Sequence, residues 1–134
     1  MAEAYIVATA RTAGGRKGGR LKDWHPADLG GKVIDDLMKR TGADPELIED
    51  VIVGCVDQAG EQGMNIARNA VLASGLPESV PATSVDRQCG SSQPALHSGA
   101  QALLSGPMGA ALAARRPSLT RRPTGSASPP PSTH

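Results

Sequence analysis

The chain has 134 residues, with no Phe, one Tyr, one Trp and a formal net charge of +1. This length allows a single domain, but its core must be built from Ala, Val, Ile and Leu, without the aromatic residues that usually contribute most to a core. The charge is unevenly distributed. Residues 1–106 contain ten Lys or Arg and all thirteen acidic residues, whereas residues 107–134 contain four Arg and no acid.

The composition excludes several classes of protein. No apolar run approaches the roughly 18 residues that span a bilayer, and the N-terminus lacks a secretory signal, so we expect a soluble, cytoplasmic chain. The basic residues between Arg11 and Lys22 lie among glycines without aromatic residues, which favours a solvated loop over a nucleic-acid surface. Cys55 and Cys89 are 34 positions apart and have no metal-binding spacing, so we expect reduced thiols and no metal.

The first predicted elements are a short β-prone run at residues 4–8, a flexible glycine-rich connection at residues 14–19 and a helix from Pro26 to Arg40. Apolar residues recur at helical spacing through this helix. Pro26 suits the first helical position, and Gly42 suits the residue that ends the helix.

Strands and helices then alternate. A helical turn begins at Asp44–Glu46, and the apolar run Val51–Val56 is typical of a strand covered on both faces, as in a parallel sheet. A helix from about Asn65 to Ser74, with Asn65 as its N-cap, precedes a strand at Val80–Val85. A third helix, ended by Gly106, completes a β-α-β-α-β-α order, which predicts an α/β fold with a parallel or mixed sheet.

The segment after Gly106 has a different composition. Residues 107–134 contain six Pro, four Arg, four Ser and three Thr, but no Val, Ile or aromatic residue. Such a segment buries too little apolar surface to offset its ordering entropy, so we predict a disordered tail, with an extended or frayed helical stretch at Pro107–Ala114. The predicted division is therefore residues 1–106 and 107–134.

The most distinctive local feature is Cys89, which lies where a predicted strand passes into a predicted helix. Backbone N–H groups at a helix N-terminus favour a thiolate, as a nucleophile requires. Gly90, Ser91 and Ser92 are small enough to let an acyl group approach those N–H groups. The alternative is a buried, inert cysteine, since free Cys is often buried. The local features leave both interpretations open.

No histidine is a convincing base for Cys89. His97 is eight residues further on, which places it about 80° around the same helix and about 12 Å along it, too far to take the proton. We interpret His97 as a helix-side residue and His25 as a surface residue. His134 ends the predicted tail.

The segment Val85–Ser92 resembles the nucleophilic-cysteine segment of the thiolase family, the acetyl-CoA acetyltransferases and 3-ketoacyl-CoA thiolases. Three further stretches agree with that family in order and spacing: Arg11-Thr12 before the glycine-rich loop, His25–Gly30, and Gly63–Arg68 with its following helix and Gly-Leu-Pro. The resemblance spans about residues 4–106.

The resemblance implies that Cys89 is the catalytic nucleophile. In thiolases this cysteine takes an acyl group from a 3-ketoacyl-CoA or acetyl-CoA and passes it to CoA or to the carbanion of a second acetyl-CoA. The resemblance also implies CoA thioesters as substrates, no bound cofactor, and a homo-oligomer, dimer or tetramer, for the full-length family. The activating His, the second catalytic Cys and most CoA-binding residues of thiolases belong to later segments. We therefore expect an incomplete N-terminal thiolase-like domain that is inactive alone.

Two departures from the family pattern lead to further hypotheses. Pro94 disfavours a helical Gln93 and delays the helix start until after Cys89. The Arg- and Pro-rich sequence after Gly106 replaces an expected apolar strand, which leads to the hypothesis of a frameshift near Gly106–Met108. The alternatives to an acyltransferase are a non-catalytic truncated product or subunit-interaction fragment, and a small redox protein that uses Cys89.

Overall fold

The centre of the fold is a parallel three-stranded sheet. A computed structural model of the chain describes residues 2–115, in which β1 (Asp50–Gly54), β2 (Ala82–Val85) and β3 (Ala111–Arg115) are arranged in the order β2-β1-β3. Val51 of β1 pairs with Ala82 on one side and with Leu112 on the other. Residues 51–54 of β1 are buried, as expected for a strand that is covered on both faces. The predicted α/β fold with a parallel or mixed sheet is confirmed, and the sheet is parallel.

Three helices surround this sheet: α1 (Pro26–Thr41), α2 (Ile66–Leu72) and α3 (Ser92–Ser105). Helix α2 connects β1 to its neighbour β2. Helix α3 connects β2 to β3, so this second connection crosses the sheet in the opposite direction and passes over β1. Because such crossovers are right-handed, α2 and α3 lie on opposite faces of the sheet. Helix α1 packs on α2, whereas α3 contacts β1 and β3.

Helices α1 and α2 approach each other closely at a glycine. A Cβ at Gly31 would lie 2.6 Å from the carbonyl oxygen of Ala73, so only glycine fits this crossing without a shift. The Asp35 carboxylate accepts a hydrogen bond of 2.7 Å from the Gly75 N–H, just beyond α2. The core beneath these helices contains the fully buried side chains Ile66, Val51, Val71 and Cys55.

Most local predictions for the first 106 residues are confirmed. Helix α1 has Pro26 in its first turn and ends at Gly42, whose φ of 63° is left-handed. Asp44 caps a short 3₁₀ helix at Pro45–Leu47 by accepting from the Glu46 N–H. Asn65 is the N-cap of α2, as expected, and its side chain accepts from the Arg68 N–H.

The predicted first strand is not formed in the described residues. Residues 4–8 have no regular secondary structure, and the side chains of Tyr5, Ile6 and Val7 are exposed. A β-prone run becomes a strand only when a neighbouring strand satisfies its backbone N–H and C=O groups.

A strand forms near the start of the predicted tail. Ala111–Arg115 forms β3, which pairs with the full length of β1. Glu49 supports this pairing, since its N–H donates to the Ala110 carbonyl at 3.0 Å and its carboxylate accepts from the Gly109 N–H. The extended alternative for Pro107–Ala114 therefore fits Ala111–Ala114, and the rest of the predicted tail, residues 116–134, lies outside the described residues.

No helix within residues 2–115 is both long enough and apolar enough to cross a membrane.

Candidate active site around Cys89

Cys89 lies in the turn that connects β2 to α3. Its side chain is exposed, its thiol is free, and its φ is 60°, a left-handed value that costs a non-glycine residue about 1 kcal/mol. The Gly90 N–H donates to the Arg87 carbonyl at 2.8 Å and closes the turn beneath it. A strained conformation of this kind persists only where its surroundings hold it in place.

Ser91 provides part of that support. It is only 5% exposed. Its Oγ accepts a hydrogen bond of 2.9 Å from the Arg87 N–H and donates one of 3.0 Å to the Arg87 carbonyl. One hydroxyl therefore bridges both polar backbone groups of Arg87, and the turn that carries Cys89 lies between the two bridged residues.

The N-terminus of α3 is arranged differently from an ordinary serine-capped helix. Ser91 is the N-cap, but its side chain makes no capping hydrogen bond. The third helical residue is Pro94, which has no N–H to offer, and the Gln93 N–H donates to the Gly90 carbonyl at 3.0 Å. The N–H groups of Ser91 and Ser92 are left as the donors of the first turn without an intrahelical partner.

The prediction for Pro94 is confirmed in part. Helix α3 begins at Ser92, after Cys89, as expected. Gln93 is nevertheless helical, because Pro94 lies in the first turn, where a missing N–H removes no intrahelical hydrogen bond.

Gly54 lets the N-terminus of α3 approach the sheet. A Cβ at Gly54 would lie 2.3 Å from the carbonyl carbon and oxygen of Ser91, a distance at which backbone must move. Gly54 ends β1, and the Cys89 turn follows the end of β2. Both therefore lie at the carboxyl edge of the parallel sheet, where α/β proteins commonly bind ligands.

Cys55 has a different environment from Cys89. It is fully buried, and its S–H donates to the Asp57 carbonyl at 3.3 Å. Both cysteines are free thiols. A buried, hydrogen-bonded thiol is the inert kind, so Cys89 is the accessible sulfur of the pair.

The two described histidines lie at the N-terminus of α1 and within α3. His25 is the N-cap of α1, and its Nδ1 accepts from the Ala27 N–H at 3.2 Å, a role that its reading as a surface residue missed. His97 is exposed on α3. His134 lies outside the described residues. Within residues 2–115, no cluster of three His, Cys, Asp or Glu could hold a metal ion.

The sequence singled out Cys89, whose catalytic role stays a prediction, but did not reveal the contacts made by Ser91 and Gly54. A signal existed for each of them. A glycine inside an apolar strand often marks a close backbone approach, as at Gly54. The side chain of a serine N-cap ordinarily accepts a hydrogen bond from the N–H of the second or third helical residue. When the third residue is a proline, that N–H is missing, and the serine hydroxyl is free for another partner.

The chain is similar in sequence and fold to known proteins of one family. Residues 4–132 match the model of the thiolase N-terminal domain. The chain is 54% identical over 106 residues to a steroid 3-ketoacyl-CoA thiolase, FadA6, of Mycobacterium tuberculosis, covering 79% of this chain and 26% of that protein. It is 48% identical over 103 residues to a 3-ketoacyl-CoA thiolase of Pseudoalteromonas translucida, covering 75% of this chain and 26% of that protein.

A solved structure shares the fold. The acetyl-CoA acetyltransferase of Bacillus anthracis superposes with a TM-score of 0.69 at 33% identity, covering 75% of this chain and 25% of that one. The α/β fold and the matches together define the class of domain as thiolase-like. The chain belongs to the thiolase family, within its N-terminal domain. It spans about a quarter of the length of the relatives that it matches.

Proposed function

We propose that Cys89 is the acyl acceptor of a thiolase-type acyl-CoA C-acyltransferase. The observation that carries this proposal is the position of a free, exposed thiol in a strained turn at the carboxyl edge of a parallel sheet, directly before a helix N-terminus. Membership of the thiolase family supports the same role. The substrates are CoA thioesters, of the kind named for the relatives.

The acyl-transfer step follows from this placement. The Cys89 sulfur attacks the thioester carbonyl of an acyl-CoA, a new carbon–sulfur bond forms, and the bond to the CoA sulfur breaks. The proton lost by Cys89 leaves with CoA as its thiol. During the attack the carbonyl oxygen becomes negative, and backbone N–H groups of the kind found at a helix N-terminus would stabilise it.

The described residues provide this nucleophile without a base beside it. His25 caps α1, and His97 is too far along α3 to reach the thiol. We therefore expect acyl transfer to Cys89 to be slow, and the complete thiolase cycle to require groups beyond residues 2–115. A homo-oligomer and a cytoplasmic location remain predictions.

The test is acylation of the full chain by acetyl-CoA, followed by peptide mass spectrometry. We expect a mass increase of one acetyl group on Cys89 that neutral hydroxylamine removes, because a thioester is cleaved and an amide is not. The Cys89→Ala variant should lose this modification.

The Cys55→Ala variant is the matched control, since Cys55 is buried and should not be needed for acylation. Acetyl groups found only on lysines, or equally on wild type and Cys89→Ala, would contradict the proposal. That result would favour the non-catalytic alternative, a fragment that interacts with other subunits.

A further inference from the structure

The strained turn at Cys89 needs a partner that holds it. Cys89 has a left-handed φ of 60°, and its own side chain is exposed, so packing of the thiol does not fix the backbone. The turn is closed by two elements: the hydrogen bond from the Gly90 N–H to the Arg87 carbonyl, and the side chain of Ser91.

Ser91 is suited to this task in three respects. Its hydroxyl is buried and makes hydrogen bonds at 2.9 and 3.0 Å to the N–H and the carbonyl of Arg87. Its backbone is fixed from the other side by Gly54, where no side chain fits. Its hydroxyl makes no bond to α3, the helix that it caps by position.

The lack of a bond from the Ser91 hydroxyl to α3 connects Ser91 to the acyl-transfer step. A serine N-cap ordinarily occupies a free N–H of its helix with its own oxygen. Here Pro94 removes one of those N–H groups, and the Ser91 hydroxyl turns back to Arg87. The hydroxyl thereby fixes the turn and occupies no N–H group of α3.

We infer that Ser91 is the positioning residue of the nucleophile: its hydroxyl bridge to Arg87 holds the Cys89 thiol against the open N-terminus of α3. This inference rests on the proposed function of Cys89 as an acyl acceptor. In this role the Ser91 side chain acts through the backbone of Arg87 and not by contact with the substrate or the reacting atoms.

The test compares Ser91→Ala, Ser91→Thr and Ser105→Ala in the full chain. Ser105 is the exposed serine that ends α3 and serves as the control. Two rates are measured at Cys89 by mass spectrometry: acetylation by acetyl-CoA, which needs an oriented thiol, and alkylation by iodoacetamide, which needs only an accessible one. Alkylation of buried Cys55 in the same samples reports unfolding.

We expect Ser91→Ala to lower the rate of Cys89 acetylation selectively, without a similar change in the rate of alkylation. Ser91→Ala should slow acetylation of Cys89 about tenfold, the effect of losing two ordinary hydrogen bonds. Alkylation of Cys89 should change less than about twofold, and that of Cys55 should stay as slow as in wild type. Ser91→Thr, which keeps a hydroxyl, should recover most of the acetylation rate, and Ser105→Ala should match wild type.

Backbone hydrogen exchange provides an independent readout of the bridge. The Arg87 amide should exchange about tenfold faster in Ser91→Ala, because its acceptor is removed, and should regain protection in Ser91→Thr. This measurement does not depend on acyl transfer.

The outcomes separate the two proposals. A wild-type chain that accepts no acetyl group overturns the proposed function. Exchange of the Arg87 amide then tests only whether the Ser91 hydroxyl holds the turn. Acetylation at the wild-type rate in Ser91→Ala, no recovery in Ser91→Thr, or a parallel rise in Cys55 alkylation would each overturn the positioning role.

Discussion

At the scale of single residues, the site depends on a contact between two backbones. Gly54 at the end of β1 faces the carbonyl group of Ser91 so closely that a Cβ would come within 2.3 Å of it. The neighbour is backbone in the first turn of a helix, so it cannot rotate away as a flexible side chain could. Gly54 is therefore needed for the position of α3, and through Ser91 for that of the Cys89 turn.

The residue-scale prediction is that Gly54→Ala displaces the start of α3. We expect a loss of about 1–3 kcal/mol in the free energy of unfolding, as for other overpacked positions, together with slower acetylation of Cys89. Urea unfolding and the acetyl-CoA assay measure the two effects.

Gly14→Ala is the control for this prediction, because a Cβ at Gly14 would meet nothing within 4 Å. Its stability should lie within about 0.5 kcal/mol of wild type. Equal stability of both variants would contradict the close approach at Gly54.

At the scale of elements, Asn65 connects α2 to β2. Its Oδ1 accepts from the Arg68 N–H at 3.3 Å and from the Ser84 hydroxyl at 2.9 Å, and its Nδ2 donates to the Ala82 carbonyl at 2.9 Å. The N-cap role was predictable from the residue type and the helical pattern that follows. The bonds to β2 were not, because they join residues 17 and 19 positions apart.

The element-scale prediction compares two substitutions of Asn65, whose φ of 61° is left-handed. Asn65→Gly loses the side-chain hydrogen bonds but keeps access to this φ, so we expect a loss of about 1 kcal/mol in the free energy of unfolding. Asn65→Ala adds strain at positive φ and should lose about 2 kcal/mol. Thermal and urea unfolding measure which of the two variants is more stable. An alanine variant as stable as the glycine variant would contradict the predicted strain at Asn65.

At the scale of the whole molecule, β3 completes the sheet. It lies on the side of the central strand opposite β2 and also contacts α3. Leu112 and Ala114 pack against the core from this strand. The boundary predicted at Gly106 therefore falls before a strand of the described fold, and the frameshift remains a hypothesis, tested by translating the other reading frames downstream of Gly106.

The whole-molecule prediction compares a chain that ends at Gly106 with one that ends at Arg115. The first loses β3 and uncovers β1, so its free energy of unfolding should fall by about 2 kcal/mol or more, the effect of exposing a large aliphatic side chain. The second keeps all three strands of the described sheet and should be the more stable of the two. Circular dichroism with urea measures both, and a shorter chain as stable as the longer one would show that β3 adds nothing.

The sequence by itself determined the elements whose signals are local. Helical spacing, Pro26 and Gly42 defined α1, Asn65 marked the start of α2, and a continuous apolar run identified β1 as a covered strand. The same local reasoning, together with the family resemblance, selected Cys89 from the two cysteines, because it follows a strand and precedes a helix.

Only the tertiary structure decided the rest, because the forces involved act between distant residues. The run at residues 4–8 has β propensity but no strand beside it, whereas the alanine-rich stretch Ala111–Arg115 has weak propensity and becomes a strand through its pairing with β1. The left-handed turn at Cys89 is held by the Ser91 hydroxyl, which in turn depends on Gly54, more than 30 residues earlier in the chain. Strand pairing and close backbone approach are properties of the folded chain, and no local pattern contains them.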